Sequence, residues 1–93
     1  MGASDVIAQK LTTVFSPIEL SIADESEMHL GHAGSRPGGE THFNVRIVSA
    51  AFEGLSRVER QRRVYAALSE EVKTHIHALS LTALTPAEAW NER

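Results

Sequence analysis

The chain contains no cysteine. It can form no disulfide, perform no thiol catalysis and build no thiolate metal site from its own side chains. Long apolar runs are missing too, and nothing approaches the roughly 18 consecutive apolar residues of a membrane-spanning helix. Basic residues are in the minority, nine Lys and Arg against twelve Asp and Glu, and the resulting charge of −3 argues against a general affinity for nucleic acid or anionic membrane. There is no P-loop, no nucleophile elbow and no H-E-x-x-H, so the expectation is a protein that is not an enzyme. The N-terminus lacks the basic start and apolar stretch of a signal peptide, and Asp5 speaks against a transit peptide. Val6 stands where N-myristoylation requires Ser or Thr. These absences together lead to an expected cytoplasmic protein without a membrane partner.

What is present is a soluble composition, 42% apolar and 23% charged, over 93 residues, which is the size of one domain spanning 1–93. The organising stretch is Ser56 to Leu84. It reads as a long amphipathic helix that runs into a strand. Ser56 and Glu59 form an S-x-x-E capping box. Val58, Tyr65, Leu68 and Val72 recur at helical spacing with Val64 beside them, and predict the buried stripe. After Lys73 the period changes to alternation, with Leu79, Leu81 and Ala83 on one side.

Upstream, residues 4–15 suit a first helix capped by Ser4 or Asp5, with Ile7, Leu11, Val14 and Phe15 as its apolar face. Ser16-Pro17 ends it, because a residue before proline avoids helical angles. Ile18, Leu20 and Ile22 alternate as a first strand, and Phe43, Val45 and Ile47 point inward from a second strand over 42–49. The intervening residues 25–41 hold four glycines and a proline and are too long for a tight hairpin. Residues 50–55 form a short connector, and Thr85-Pro86 opens a last helix carrying Trp90. The order is α-β-β-α-α-β-α, counting the connector as one helical turn. The fold class is α+β, a two-layer sandwich of a three-stranded mixed sheet with helices on one face and a parallel crossover into the third strand.

Five histidines are unevenly placed: His29-x-x-His32 in the glycine-rich segment, His42 opening the second strand, and His75 and His77 at the helix-to-strand junction. Imidazole is a common transition-metal ligand, although loop histidines are most often simply solvated. Gly31 to Gly34 spells the GXXG of a KH domain, but between two strands rather than two helices, which makes it a coincidence. Arg57, Arg60, Arg62 and Arg63 crowd the start of the long helix, where cations oppose the helix dipole. Such a cluster either pairs with neighbouring carboxylates or grips phosphate or a carboxylate-bearing partner.

The runs E-T-H-F-N-V-R-I-V-S at 40–49, F-E-G at 52–54, R-x-R-x-V-Y at 60–65, I-H-A-L at 76–79 and T-P-A-E-A-W at 85–90 strongly resemble the BolA family. The resemblance covers nearly the whole chain and implies a class II KH-like fold. It also implies a partnership with a monothiol glutaredoxin, in which a [2Fe-2S] cluster is shared between glutaredoxin and glutathione thiolates and histidine of the BolA-like chain. His77 stands at the family's invariant histidine. The second ligand position falls in the segment between the first two strands, where this chain offers both His29 and His32. A chain without thiolates can supply imidazoles to such a site, a mixed ligation that tunes cluster potential. The family usually has histidine where this chain has Gln61. Some members are described as transcriptional regulators, which assigns Arg57, Arg60, Arg62 and Arg63 to DNA as the alternative reading. Free of its partner, the chain is expected to be a monomer or weak homodimer.

Overall fold

The computed structural model describes residues 2–24, 41–74 and 76–92. Helix α1 (Ala3–Phe15) is followed by strands β1 (Glu19–Asp24) and β2 (Thr41–Val48). A 3-10 turn (Ala50–Phe52) leads to α2 (Arg57–Ala67), α3 (Ser69–Thr74), β3 (Ile76–Leu84) and α4 (Pro86–Asn91). The expected 25–41 linker lies outside the described residues except at Thr41.

Helix α1 starts one turn earlier than its best caps suggest. Gly2 is the N-cap, and Asp5, at the third helical position, accepts a hydrogen bond from the Gly2 N–H at 3.3 Å. The helix ends where Pro17 requires it to. Ser16 takes a left-handed conformation, φ 45° and ψ 57°, and donates its N–H to the Thr12 carbonyl. Ile7, Leu11 and Phe15 are buried, but Val14 is exposed.

The sheet is three-stranded in the order β1-β2-β3, antiparallel on one side of β2 and parallel on the other. β2 is central, and its alternation is clear until its last residue: Phe43, Val45 and Ile47 are fully buried while Asn44 is exposed, and Val48 at the end is buried as well. Leu20 and Ile22 from β1 and Leu79, Leu81 and Ala83 from β3 pack beside them, against Ile7, Leu11, Phe15, Phe52, Val64 and Leu68. Ile18 does not join this face. It precedes β1, is 70% exposed, and contributes only its N–H to the Val48 carbonyl. Buried Ser49 closes the end of β2, donating its hydroxyl to the Phe15 carbonyl at 2.6 Å and accepting from Ala51 N–H. That join brings the Phe15 and Phe52 rings to 5.0 Å between centroids, a favourable tilted contact.

The long helix differs from its sequence reading in two ways. It is divided at Leu68, whose φ −107° and ψ 22° leave the helical region, and whose N–H is shared among the preceding carbonyls. Its buried stripe is also rotated. The inward positions are Arg60, Val64, Leu68 and Glu71, whereas Val58, Tyr65 and Val72 are exposed. The inward face escapes a hydrophobicity reading because it carries two charges, each neutralised by a partner. Arg60 meets Glu88, and Glu71 meets Lys10 of α1 at 2.8 Å. The capping box forms only in half. Ser56 Oγ accepts from Glu59 N–H at 3.1 Å, but the Glu59 carboxylate turns to Arg63 at 3.3 Å.

Candidate functional site

His77 lies in β3, one of the strands that hold the core together. Thr41 pairs with Ile76 and His42 pairs with Ala78, so the register slips between Thr41 and His42 and His77 has no Cα partner on β2. Such irregularities commonly mark places where a strand is re-aimed near a functional site. His42, half-buried on β2, adjoins the same irregularity. His29, His32 and His75 lie outside the described residues. Among the described residues, no three His, Asp or Glu side chains converge in a metal-holding group.

The four arginines separate into two kinds. Arg60 is only 7% exposed and fully engaged: Nε donates to the Leu55 carbonyl at 3.0 Å and Nη1 to the Ala83 carbonyl at 3.0 Å. Its guanidinium also grips both Glu88 oxygens, at 2.6 and 3.2 Å. This residue is a structural clamp and is not available to a phosphate. Arg57, Arg62 and Arg63 remain exposed. Arg63 is tied to Glu59, and Arg62 approaches the same carboxylate only at 3.8 Å. Gln61, between them, is exposed and lines clefts on both sides.

Two charge constellations were not anticipated from the sequence. Glu88 completes a capping box with Thr85 at the start of α4 while it binds Arg60. Arg60 beside it, with help from the Thr85 N–H, holds its carboxyl down to about 2. The signal was legible, since T-x-x-E after a strand is a cap pattern. The second constellation lies on the sheet's other face, where Arg46 bridges Glu92 at 2.7 Å and Glu19 at 2.8 Å, tying α4 and β1 to β2. The bond to Arg46 lowers the Glu92 carboxyl below its ordinary range, and the two carboxylates raise Arg46. Neither partner of Arg46 is near it in sequence, so no local pattern could reveal this.

A family profile described as BolA-like protein matches residues 11–88. The chain belongs to the BolA family. It is similar to the solved BolA1 from Arabidopsis thaliana, with a TM-score of 0.84 and 46% identity, covering 95% of this chain and 96% of that one. It is 50% identical over 86 residues to SufE-like protein 1, chloroplastic/mitochondrial, of Arabidopsis thaliana, covering 88% of this chain and 23% of that protein. It is 41% identical over 88 residues to the DNA-binding transcriptional regulator BolA of Haemophilus influenzae, covering 95% of this chain and 82% of that protein. The chain spans between 23% and 60% of the length of the first curated relatives it matches. The BolA-family fold, with its three-stranded mixed sheet, is thus the fold expected from the sequence. No described helix is long and apolar enough to cross a membrane.

Proposed function

We propose that this BolA-like chain supplies histidine ligands to a [2Fe-2S] cluster shared with a monothiol glutaredoxin and glutathione, in cluster trafficking or iron-dependent regulation. The carrying observation is His77, a histidine on a core strand at a register irregularity, in a chain without a single thiol. The donor set fits a shared cluster and does not fit a self-contained one. Imidazoles are available from His77 and from His29 or His32, while every thiolate must come from outside. When bound, the cluster supplies electron storage or is itself the cargo. The chain would contribute imidazole nitrogens, one from His77 on β3 and another from His29 or His32. It acts as a ligand donor and not as a catalyst, in a reducing compartment such as the cytoplasm. The test is to mix the chain with a monothiol glutaredoxin, glutathione, ferrous iron and sulfide under anaerobic conditions and record the visible spectrum. A spectrum distinct from that of the glutaredoxin cluster alone supports the reading. A simple sum of separate components counts against it.

A second reading, DNA binding, is favoured by one observation, the name of the Haemophilus influenzae relative. Arg57, Arg62 and Arg63 are the exposed cations that would meet phosphates. Glu59 lies among them and already engages two, which leaves this surface a modest electrostatic footprint.

A further inference from the structure

Two clefts share Gln61 in their linings, and together they make a shallow trough beside α2. The first, about 260 Å³, lies between α2 and the end of β3 and is lined by Arg57, Gln61, Leu81 and Thr82 among others. The second, about 470 Å³, extends over α2 itself, past Val58, Arg62 and Tyr65. Its floor is apolar and open, since Val58 is 60% and Tyr65 37% exposed.

The first cleft lies beside a sheet edge, because among the described residues β3 pairs with β2 alone. In a parallel ladder, alternate residues of a strand bond to the neighbour and the others point away from it. Leu84 accepts from Ser49 N–H, which assigns the even-numbered residues at this end of β3 to β2 and the odd-numbered ones to the edge. The edge carbonyls bear this out: Ala83 accepts from Arg60, and Leu79 makes a long 3.4 Å contact with the Tyr65 hydroxyl. Between those two, the backbone of Leu81 faces outward beside the first cleft.

We infer that this trough docks an extended peptide segment of a partner protein, one that carries apolar side chains between carboxylates. The apolar side chains would cover Val58 and Tyr65, the segment's backbone would reach the β3 edge at Leu81, and its carboxylates would meet Arg57 and Arg62. Added-strand recognition has this division of labour, with main-chain bonds giving affinity and flanking side chains giving specificity. Charge selects the occupant. Arg57 has no ion-pair partner among the described residues, and the Arg62 side chain is 74% exposed with its nearest carboxylate oxygen at 3.8 Å. A second copy of this chain, paired edge to edge about a twofold axis, would set these arginines against their own counterparts. A phosphate chain would leave the apolar floor at Val58 and Tyr65 unused. The inference is independent of the cluster reading, since neither His77 nor iron takes part in it.

The test is a titration of the isotope-labelled full chain, followed by amide chemical shifts, with a short capped peptide alternating glutamate and valine. A lysine–valine peptide and a short DNA duplex are titrated in parallel. The expected result is shifts concentrated at residues 57–66 and 79–83, absent with the lysine peptide. Binding should weaken about tenfold in the double variant Arg57→Gln, Arg62→Gln, whose two changed side chains are exposed and leave the core intact. Shifts on the opposite sheet face around Ser21 and Asn44, equal binding of the lysine peptide, no shifts at millimolar peptide, or DNA occupying the trough at lower concentration would each overturn the inference.

Discussion

Arg60 and Glu88 form a two-point ion pair, 2.6 and 3.2 Å long, that locks the start of α2 onto the start of α4. The same guanidinium satisfies the Leu55 and Ala83 carbonyls, so one side chain joins the connector, α2, the end of β3 and α4. Replacing Arg60 by alanine strips all four bonds at once and leaves two carbonyls without their donor. A loss of about 2–3 kcal/mol is expected, read as a lower urea midpoint, because hydrogen bonds to charged groups are among the stronger contributors. Arg62→Ala, on the exposed side of the same helix, should leave the midpoint within about 0.5 kcal/mol of the parent.

The Glu88 carboxyl makes a part of the fold's stability sensitive to acid. Its folded pKa is lowered to about 2 from an ordinary 4.5, first by Arg60 and then by the Thr85 N–H. A depressed folded value means that the contribution is fully present above the ordinary value. It is then lost as pH falls from about 4.5 towards 2. Glu92, lowered by Arg46, shifts in the same direction. Glu88→Gln should therefore be less stable than the parent at neutral pH, with the difference shrinking through that acid window. Urea midpoints measured across the window check this, and a constant difference would contradict it.

Much of the sheet was legible because Phe43, Val45 and Ile47 of its central strand alternate as one buried face. Pro17, the Thr85-Pro86 cap and the parallel crossover were legible for equally local reasons. The inward face of α2 was not, since Arg60 and Glu71 occupy it and their partners, Glu88 and Lys10, lie far away in sequence. Val58, Tyr65 and Val72 then supplied a spurious heptad that in fact faces outward. The break at Leu68 carries neither glycine nor proline to announce it. Of the site, only the strand under His77 could be reasoned from pattern. The ligand role proposed for it rests on the family resemblance, and His29 and His32 lie outside the described residues.

The rotated stripe is testable by paired truncations. Leu68→Ala removes a fully buried side chain and should cost about 2–5 kcal/mol. Val58→Ala and Val72→Ala should each change stability by no more than about 0.5 kcal/mol. Equal losses at all three positions would restore the stripe expected from the sequence.

The DNA reading has a numerical bound. With Arg60 withdrawn, three exposed arginines can release counterions, so the log–log salt slope should not exceed about 2.7. Affinity for duplex should then fall by no more than about forty-fold between 50 and 200 mM salt. A steeper slope in a filter-binding or anisotropy series would require a cationic surface elsewhere on the chain.

The most direct test of the proposed function is the cluster spectrum of the mixed complex made with His77→Ala. The account expects this variant to fold, to lose the visible spectrum characteristic of the complex, and to release its cluster faster than the parent. The double change His29→Ala plus His32→Ala should alter or destabilise the cluster, each single change should do less, and His42→Ala should be close to silent. An unchanged spectrum and cluster lifetime in the His77→Ala complex would contradict the histidine assignment and leave BolA-family membership standing on sequence and fold alone.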